Sequence, residues 1–355
     1  MVRRFGFPAA LGSGRDGSER AGGGTGIADN GRCRVTFVVL LFVMIALAWF
    51  FPEPGAMQGP YSPHAIANYL VSVIFLVYGI GLSPRQFRDG LMNWRLHLVV
   101  HLSTFLLFPL IALVGMSLCA TEQTHLLWLG VFYLAVLPST VSSSVVMVSL
   151  AGGNMPAAIF NASLSGVIGI FLTPLWMSLF ASAGPGGFDP LRAIGSLALL
   201  VLLPIVLGML LHRRLGDWVT RHRATLRLFD QSVILLIVFC SFGESFASHA
   251  FEGLPALTLP ILTIGMIALF FLVYGLIDFV CHRLHFNRED TITALFCGSK
   301  KSLMHGTVMA NILLVGLGGV GVILLPLMLY HALQLILVAV IVARWRQVSK
   351  NETLD

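Results

Sequence analysis

The sequence predicts an all-α polytopic membrane protein of ten transmembrane helices, arranged as two inverted groups of five. Three observations support this prediction: the apolar composition, ten long apolar runs, and a one-sided distribution of arginine and lysine. Of the 355 residues, 57% are hydrophobic and 11% are charged, whereas about 25% of residues are charged in soluble domains. The mean hydropathy is +0.87. We therefore expect neither nucleic-acid binding nor a separate soluble catalytic domain.

The apolar runs begin after an N-terminal stretch that is rich in Gly and Arg. A helix needs about 20 apolar residues to cross a hydrocarbon core of about 30 Å. The ten runs cover residues 35–51, 65–82, 96–116, 126–150, 157–180, 193–211, 228–246, 257–281, 292–315 and 320–342. We expect a disordered tail over residues 1–34, a membrane domain over 35–345 and a short tail over 346–355.

Arginine and lysine in the connections predict the orientation, because cytoplasmic loops hold the excess of these residues. Nineteen lie in the two tails and the second, sixth and eighth connections, and one, Arg192, lies on the opposite side. Both tails are therefore predicted to be cytoplasmic, which requires an even number of spans. Because the loops are short and carry no eukaryotic targeting signal, we expect a multi-pass protein of a bacterial inner (plasma) membrane.

Ten spans divide into five (residues 35–181) and five (residues 190–345). Since five is odd, the second group enters the membrane from the other side, as in the inverted repeats of secondary transporters. The fourth span of each group is interrupted. Residues 137–144 read L-P-S-T-V-S-S-S, and residues 297–307 read C-G-S-K-K-S-L-M-H-G-T. Pro138 removes a backbone donor and Gly298 loosens the helix, so we expect a helix break at each.

Polar side chains cluster at these breaks and on the fifth span. Hydroxyl and amide oxygens can ligate a small cation or hydrogen-bond a substrate, although Ser and Thr also serve as small packing residues between membrane helices. The candidate substrate or ion ligands are Ser139, Thr140, Ser142, Ser143, Asn161, Ser165, Ser299 and Ser302.

Lys300 and Lys301 interrupt the ninth span. A charge at mid-membrane depth costs roughly 2.5–3.5 kcal/mol on insertion scales, so it usually faces a cavity or a partner. Adjacent residues on a helix point about 100° apart, so we expect one lysine to face the cavity and the other to pair. Such an ammonium can hold a substrate carboxylate or sulfate, replace a coupling cation, or carry a proton. Alternatively, the span begins later and both lysines are cytoplasmic.

His305, His331 and Gln334 form a possible second shell around the lysines. His331 and Gln334 share one face of the tenth span. The histidines are interpreted either as members of a proton relay or as packing residues.

Four motifs together resemble the divergent SBF-like branch of the bile acid:sodium symporter superfamily. They are residues 137–144, N-A-S-L-S-G-V-I-G-I-F-L-T-P at 161–174, C-G-S-K-K-S-L at 297–303 and L-P-L-M-L-Y-H-A-L-Q-L at 325–335. The resemblance covers about residues 35–345. It implies a sodium/proton antiporter-like fold, in which spans one, two, six and seven form a panel, the other six form a core, and spans four and nine unwind and cross.

The resemblance also implies a possible sodium site near Ser139, Thr140 and Asn161. One departure bears on this site. Bile acid carriers place an acidic residue and a glutamine at the span-nine break, whereas this chain has Ser-Lys-Lys-Ser over residues 299–302. The coupling ion therefore stays open between sodium and the proton.

We expect a secondary active transporter of an organic, anionic solute, coupled to sodium or protons, in which a core rocks against a panel. The expected partners are the solute and the lipid bilayer, and no cofactor is expected beyond the coupling ion. The chain has no Gly-x-Ser-x-Gly or H-E-x-x-H motif, so we do not expect an enzyme. The alternatives are a cation/proton antiporter on the same fold and a non-transporting regulatory membrane protein.

Overall fold

The computed structural model describes residues 25–57, 59, 61–82, 93–181, 189–249, 252, 257–314, 317 and 319–351. Every regular element in these ranges is a helix. In chain order the α-helices are α1 (Thr25–Phe50), α2 (Pro52–Ala56), α3 (Pro63–Gly81), α4 (Trp94–Cys119), α5 (His125–Val136), α6 (Ser142–Ala151), α7 (Met155–Ala181), α8 (Pro190–Arg221), α9 (Arg223–Ala247), α10 (Thr258–Arg283), α11 (Arg288–Gly298), α12 (Leu303–Leu313) and α13 (Val320–Asn351). Two of them, α4 and α8, contain one π-helical turn each, at Ser103–Leu107 and Ala198–Leu202.

Within the described ranges, six helices are long and apolar enough to cross a membrane: α4, α7, α8, α9, α10 and α13. Shorter apolar segments occur in α1, α3 and α5. Large apolar side chains, among them Leu118, Leu199 and Leu210, are exposed on the outer surface of the helices. Contiguous exposed apolar surface marks contact with lipid or with another protein. The chain is therefore an all-helical, polytopic membrane protein.

Each predicted span overlaps one helix, except that the fourth and the ninth each overlap two. These two spans are divided into α5 with α6 and α11 with α12. A helix of 12 residues is about 18 Å long, at about 1.5 Å per residue, and is too short to cross the bilayer alone. The count of ten spans and the inversion of the two halves stay predictions.

The ends of the chain differ from the prediction. The first helix begins at Thr25, so residues 25–34 are helical where a disordered tail was expected. The last helix continues to Asn351, past the predicted start of the C-terminal tail at residue 346. Neither stretch contains a proline to stop the extension of the adjoining helix. Residues 1–24 and 352–355 lie outside the described residues.

One group of helices, which we call the panel helices, comprises α1, α2, α3, α8 and α9. Helix α3 runs along α8, and α9 packs against α1, α2 and α3. Glycine permits the closest approach. A Cβ atom on Gly79 would lie 2.2 Å from the carbonyl oxygen of Ile205, and one on Gly208 would lie 2.3 Å from that of Leu76. The two backbones therefore touch, as small residues allow between membrane helices.

The remaining helices, which we call the core helices, are α4 to α7 and α10 to α13. Helix α5 packs along α13, and α11 contacts α4, α6, α7 and α10. Helix α12 contacts both groups, since it packs on α13 and α7 of the core and on α3, α8 and α9 of the panel. The two interrupted spans therefore lie inside the core, and α12 lies at its contact with the panel.

Asp290 joins the N-terminal ends of three core helices. Its buried carboxylate accepts hydrogen bonds from the side-chain amides of Asn93 (2.6 Å) and Asn154 (2.9 Å). Each asparagine uses its side-chain oxygen to cap its own helix, α4 or α7. The starts of α4, α7 and α11 are thus held together at one end of the core. These three helices follow the predicted second, fourth and eighth connections. Even-numbered connections are all predicted to lie on one side of the membrane, the side that holds the excess of arginine and lysine.

Candidate functional site

The first helix break separates α5 from α6. Helix α5 ends at Val136, and residues 137–141 are not helical. Pro138 has no N–H to donate, and in a helix its ring would clash with the carbonyl group one turn earlier. The last carbonyl groups of α5 are left without intrahelical donors. That of Val136 accepts a hydrogen bond of 2.8 Å from the Thr173 hydroxyl of α7.

The second helix break separates α11 from α12. Helix α11 ends at Gly298, and the Ser302 hydroxyl caps α12 by accepting the backbone N–H of His305 at 3.2 Å. Gln334 of α13 binds the break between these helices. Its side-chain oxygen accepts the backbone N–H of Lys301 (2.9 Å), and its amide nitrogen donates to the Lys301 carbonyl (2.8 Å). The extended segment is therefore satisfied by the neighbouring helix instead of by lipid, as a membrane interior requires.

The two breaks lie against each other. The backbone N–H of Ser302 donates to the carbonyl of Pro138 at 2.9 Å. The hydroxyls of Ser139 and Ser144 donate to carbonyl groups in the last turn of α11, and the second of these bonds measures 3.0 Å. Each break thus supplies partners that the other has lost.

Lys301 reaches from the second break to the end of α5. Its side chain is 0% exposed. The Nζ atom donates three hydrogen bonds to backbone carbonyl groups: those of Thr104 (2.7 Å), Ala135 (2.6 Å) and Leu137 (2.9 Å). It also lies 4.2 Å from the centre of the Phe108 ring, within the range of a cation–π contact. All three donors of the ammonium group are used.

Pro109 explains why the Thr104 carbonyl is available. Within the π-helical turn of α4, the N–H of Phe108 donates to the Ser103 carbonyl. Pro109 carries no N–H, so it donates to neither the Thr104 nor the Phe105 carbonyl. Lys301 takes the first, and the Trp176 indole N–H takes the second at 2.9 Å. The proline thus exposes one carbonyl for the lysine.

Lys300 points to the other half of the interrupted fourth span. Its Nζ atom donates to the Ser143 carbonyl, in the first turn of α6, at 3.0 Å. The residue is 0% exposed. Both lysines are therefore enclosed by the protein instead of being exposed to bulk water, and their depth in the membrane stays a prediction.

The hydroxyls predicted as ligands form a network around the two breaks. Thr140 and Ser144 share a hydrogen bond of 2.7 Å, and Ser143 donates to Thr140 at 2.8 Å. Ser299 donates to a carbonyl of its own helix at 2.6 Å. The side chain of Ser142 lies outside the described residues. The structure brings these residues together, and their role as ligands stays a prediction.

The two candidates on α7 lie at different levels. Ser165 reaches the first break, where its hydroxyl accepts the backbone N–H of Ser139 at 2.9 Å. Asn161 lies one turn earlier, and its side-chain oxygen bonds to His97 Nδ1 of α4 at 3.0 Å. The Asn161 amide nitrogen donates to the carbonyl of Ala157. The structure therefore joins Ser165, but not Asn161, to Ser139 by a hydrogen bond.

The two candidate histidines both contact the second break. His305 Nδ1 shares a hydrogen bond of 3.0 Å with the Ser302 hydroxyl, and its ring lies 5.4 Å from that of Phe75 on α3. His331 Nδ1 lies 2.9 Å from the Gln334 amide nitrogen. His305 is thus placed at the contact between the core and the panel.

Four partners of the breaks were missed in the sequence. Thr104, Phe108 and Thr173 contribute a carbonyl, a ring face and a hydroxyl, and Tyr330 donates its hydroxyl to the Ser299 carbonyl at 2.7 Å. Pro109 could have indicated the first two, because a proline inside a span marks exposed carbonyl groups. The others carry no such signal, since an apolar run tolerates a Thr or a Tyr for packing alone.

The region that is similar to known proteins coincides closely with the predicted membrane domain. Residues 35–347 match the model of the SBF-like CPA transporter family. The chain is 38% identical to an uncharacterised protein of Pseudomonas aeruginosa, over 87% of this chain and 92% of the relative. It is 36% identical to the putative symporter YfeH of Escherichia coli, over 89% and 94%. It is 31% identical to sodium/bile acid cotransporter 7 of Mus musculus, over 86% and 91%.

Proposed function

The chain belongs to the SBF-like CPA transporter family, and from this premise we propose that it is a secondary active transporter of an organic anion. Transport is coupled to sodium or protons and proceeds by movement of the core helices against the panel helices. The solute binds beside the two helix breaks. The cotransporter relatives carry sodium and bile acid in their names, which supports sodium as one of the two coupling ions.

The observation that carries this proposal is the position of Lys300 at the start of α6. The first four N–H groups of a helix have no intrahelical acceptor, and this end of the helix dipole is positive. Lys300 brings a further buried donor to the same turn, 3.0 Å from the Ser143 carbonyl. Two positive groups at one buried place favour an anion between them. A carboxylate or sulfate group of the solute satisfies this requirement.

The contact between panel and core supports alternating access. Among the described residues, the contacts that cross it include two hydrogen bonds, from the Tyr78 hydroxyl of α3 to Ser163 of α7 (3.0 Å) and from the Gly321 N–H of α13 to Ser245 of α9 (2.7 Å). Two ring pairs, His305–Phe75 and His331–Phe37, cross it as well. The residues of the two helix breaks, in contrast, form hydrogen bonds to other core helices. The core can therefore move as a unit, because its internal bonds do not have to open when the contact with the panel changes.

Reconstituted flux tests the proposal. Purified protein in liposomes is offered a panel of labelled organic carboxylates and sulfates under separately imposed sodium, proton and voltage gradients. We expect at least one gradient to drive saturable uptake of at least one anion. Lys300→Ala and Lys301→Ala should lower that uptake to the level of empty liposomes, without preventing membrane insertion. Lys350→Ala, a lysine outside the breaks, is the matched control and should retain full uptake.

Two results would contradict the proposal. If both break-lysine variants transported at the wild-type rate, the lysines would have no part in the site. If no gradient drove uptake of any anion, and the anions also failed to raise the melting temperature saturably, a non-transporting membrane protein would be favoured. A melting temperature that responds to cations and not to anions would instead favour the cation/proton antiporter.

A further inference from the structure

We infer that Lys301 is a tethered monovalent cation, whose ammonium group permanently fills a cation site between α4 and the end of α5. The site consists of the carbonyl oxygens of Thr104, Ala135 and Leu137 and the face of the Phe108 ring. Removal of the side chain is then expected to leave a receptor for a small primary ammonium ion. The receptor follows from the geometry alone, and its meaning for ion coupling rests on the proposed function.

The set of partners around Nζ is that of a bound cation. Three carbonyl oxygens lie at 2.6–2.9 Å, and backbone carbonyls are typical ligands of monovalent cations in membrane proteins. The Phe108 ring offers the negative face of its quadrupole at 4.2 Å. None of these four partners of Lys301 is a carboxylate. The charge is therefore balanced by dipoles, as that of a free ion in a carbonyl cage would be.

The direction of the α5 dipole explains why a cation is needed here. The carbonyl groups of Ala135 and Leu137 belong to the C-terminal end of a half-helix, which carries a partial negative charge. The helix ends at Pro138, so the N–H of Ser139, which in a continuous helix would donate to the Ala135 carbonyl, donates to the Ser165 hydroxyl instead. Pro109 removes the donor for the Thr104 carbonyl. A buried carbonyl without a partner costs free energy. One ammonium group satisfies all three carbonyls.

At the C-terminal end of α11, the carbonyl groups have uncharged hydrogen-bond donors. Its last-turn carbonyls accept the hydroxyls of Ser139 and Ser144. Hydroxyls satisfy carbonyls without adding charge. Lys300, the other charged group at the breaks, reaches the start of α6. The two lysines therefore lie at opposite helix ends. Lys301 neutralises the negative C-terminal end of α5, and Lys300 faces the positive N-terminal end of α6.

Chemical rescue tests the tethered cation. Beyond Cβ, a lysine side chain consists of three methylene groups and an amine, which n-propylammonium reproduces. Fluorescent fusions of wild type, Lys301→Ala and Lys300→Ala are extracted in detergent and heated. The monodisperse fraction is then followed by size-exclusion chromatography. The chloride salts compared at equal ionic strength are those of n-propylammonium, methylammonium, ammonium, sodium and tetramethylammonium.

We expect Lys301→Ala to melt below wild type and to recover saturably in n-propylammonium, and to a smaller degree in ammonium. Tetramethylammonium, which has the charge and no N–H donor, should not rescue it. Wild type and Lys300→Ala should respond to none of the ammonium salts. A Lys301→Ala protein that does not recover in any primary ammonium salt, or that stays aggregated in all of them, would overturn the inference.

Two further variants distinguish the effect of the positive charge from the effect of side-chain volume. Lys301→Met keeps a side chain of similar length without charge or donors, and Lys301→Arg keeps both. If the ammonium serves as a cation, the Arg variant should melt above the Met variant despite its larger size. A Met variant as stable as wild type would contradict the inference. Because these readouts need no solute and no flux, their failure is distinguishable from failure of the proposed transport.

Discussion

Replacement of Asp290 should loosen the core at one end. In the wild type, its carboxylate accepts the amides of Asn93 at 2.6 Å and Asn154 at 2.9 Å. Hydrogen bonds to a charged group contribute about 1.5–3 kcal/mol each. Asp290→Ala removes both, and the free energy of unfolding should fall by about 3–6 kcal/mol. Asp290→Asn keeps one acceptor oxygen for one of the two asparagines. Its own NH₂ group would face the NH₂ group of the other asparagine, so about half of that loss is expected.

The neighbouring acid provides a matched control. Glu289 precedes Asp290 in the first turn of α11 and is exposed, so Glu289→Gln should change the free energy of unfolding by less than about 0.5 kcal/mol. Stability is measured by denaturant titration of the purified proteins in one detergent, with tryptophan fluorescence as the signal. A double-mutant cycle between Asn154→Ala and Asp290→Ala should give a coupling of about 0.5–3 kcal/mol. Additive effects, or an Asp290→Ala protein as stable as the Glu289→Gln control, would refute the reasoning.

Two further predictions concern the panel. Gly79→Ala should lower the free energy of unfolding by about 1–3 kcal/mol, because the added Cβ would lie 2.2 Å from the Ile205 carbonyl oxygen. Gly275→Ala is the control, since no atom lies within 4 Å of its added Cβ. Equal melting temperatures for the two variants would contradict the close packing. Tyr78→Phe removes the hydrogen bond to Ser163 across the panel–core contact. The variant should keep its melting temperature within a few degrees and change the maximal uptake rate, measured in liposomes, and an unchanged rate would assign that bond no part in the movement.

The positions of the helix breaks could be predicted from the sequence because the signals are local. A proline within an apolar run and two lysines in another each conflict with an uninterrupted membrane helix, whatever surrounds them. The structure ends α5 at Val136 and α11 at Gly298, next to these signals. The choice between Lys300 and Lys301 was left open, since the angle between adjacent residues does not tell which side of a helix faces which neighbour.

The partners of Lys301 could not be predicted, because they are backbone atoms of distant residues. Any residue has a carbonyl group, so the sequence carries no mark at Ala135 or Leu137. The position at which α5 ends, and not the type of any side chain there, determines which carbonyl groups are available to Lys301. A similar limit applies to Asp290. Nothing in the sequence around Asp290 indicates that its partners are two asparagines at the starts of other helices.

The exchange of hydrogen bonds between the two breaks limits how the protein can move. Ser139 and Ser144 of the fourth span bond to the end of α11, while Lys301 of the ninth bonds to the end of α5. Separation of the two spans would leave carbonyl groups of both without partners in a medium that offers none. Any motion that opens a path for a solute must therefore keep the two breaks together. The hydrogen bonds across the contact with the panel, such as those of Tyr78 with Ser163 and of Gly321 with Ser245, are fewer among the described residues, so the change of access can occur there at a lower cost in free energy.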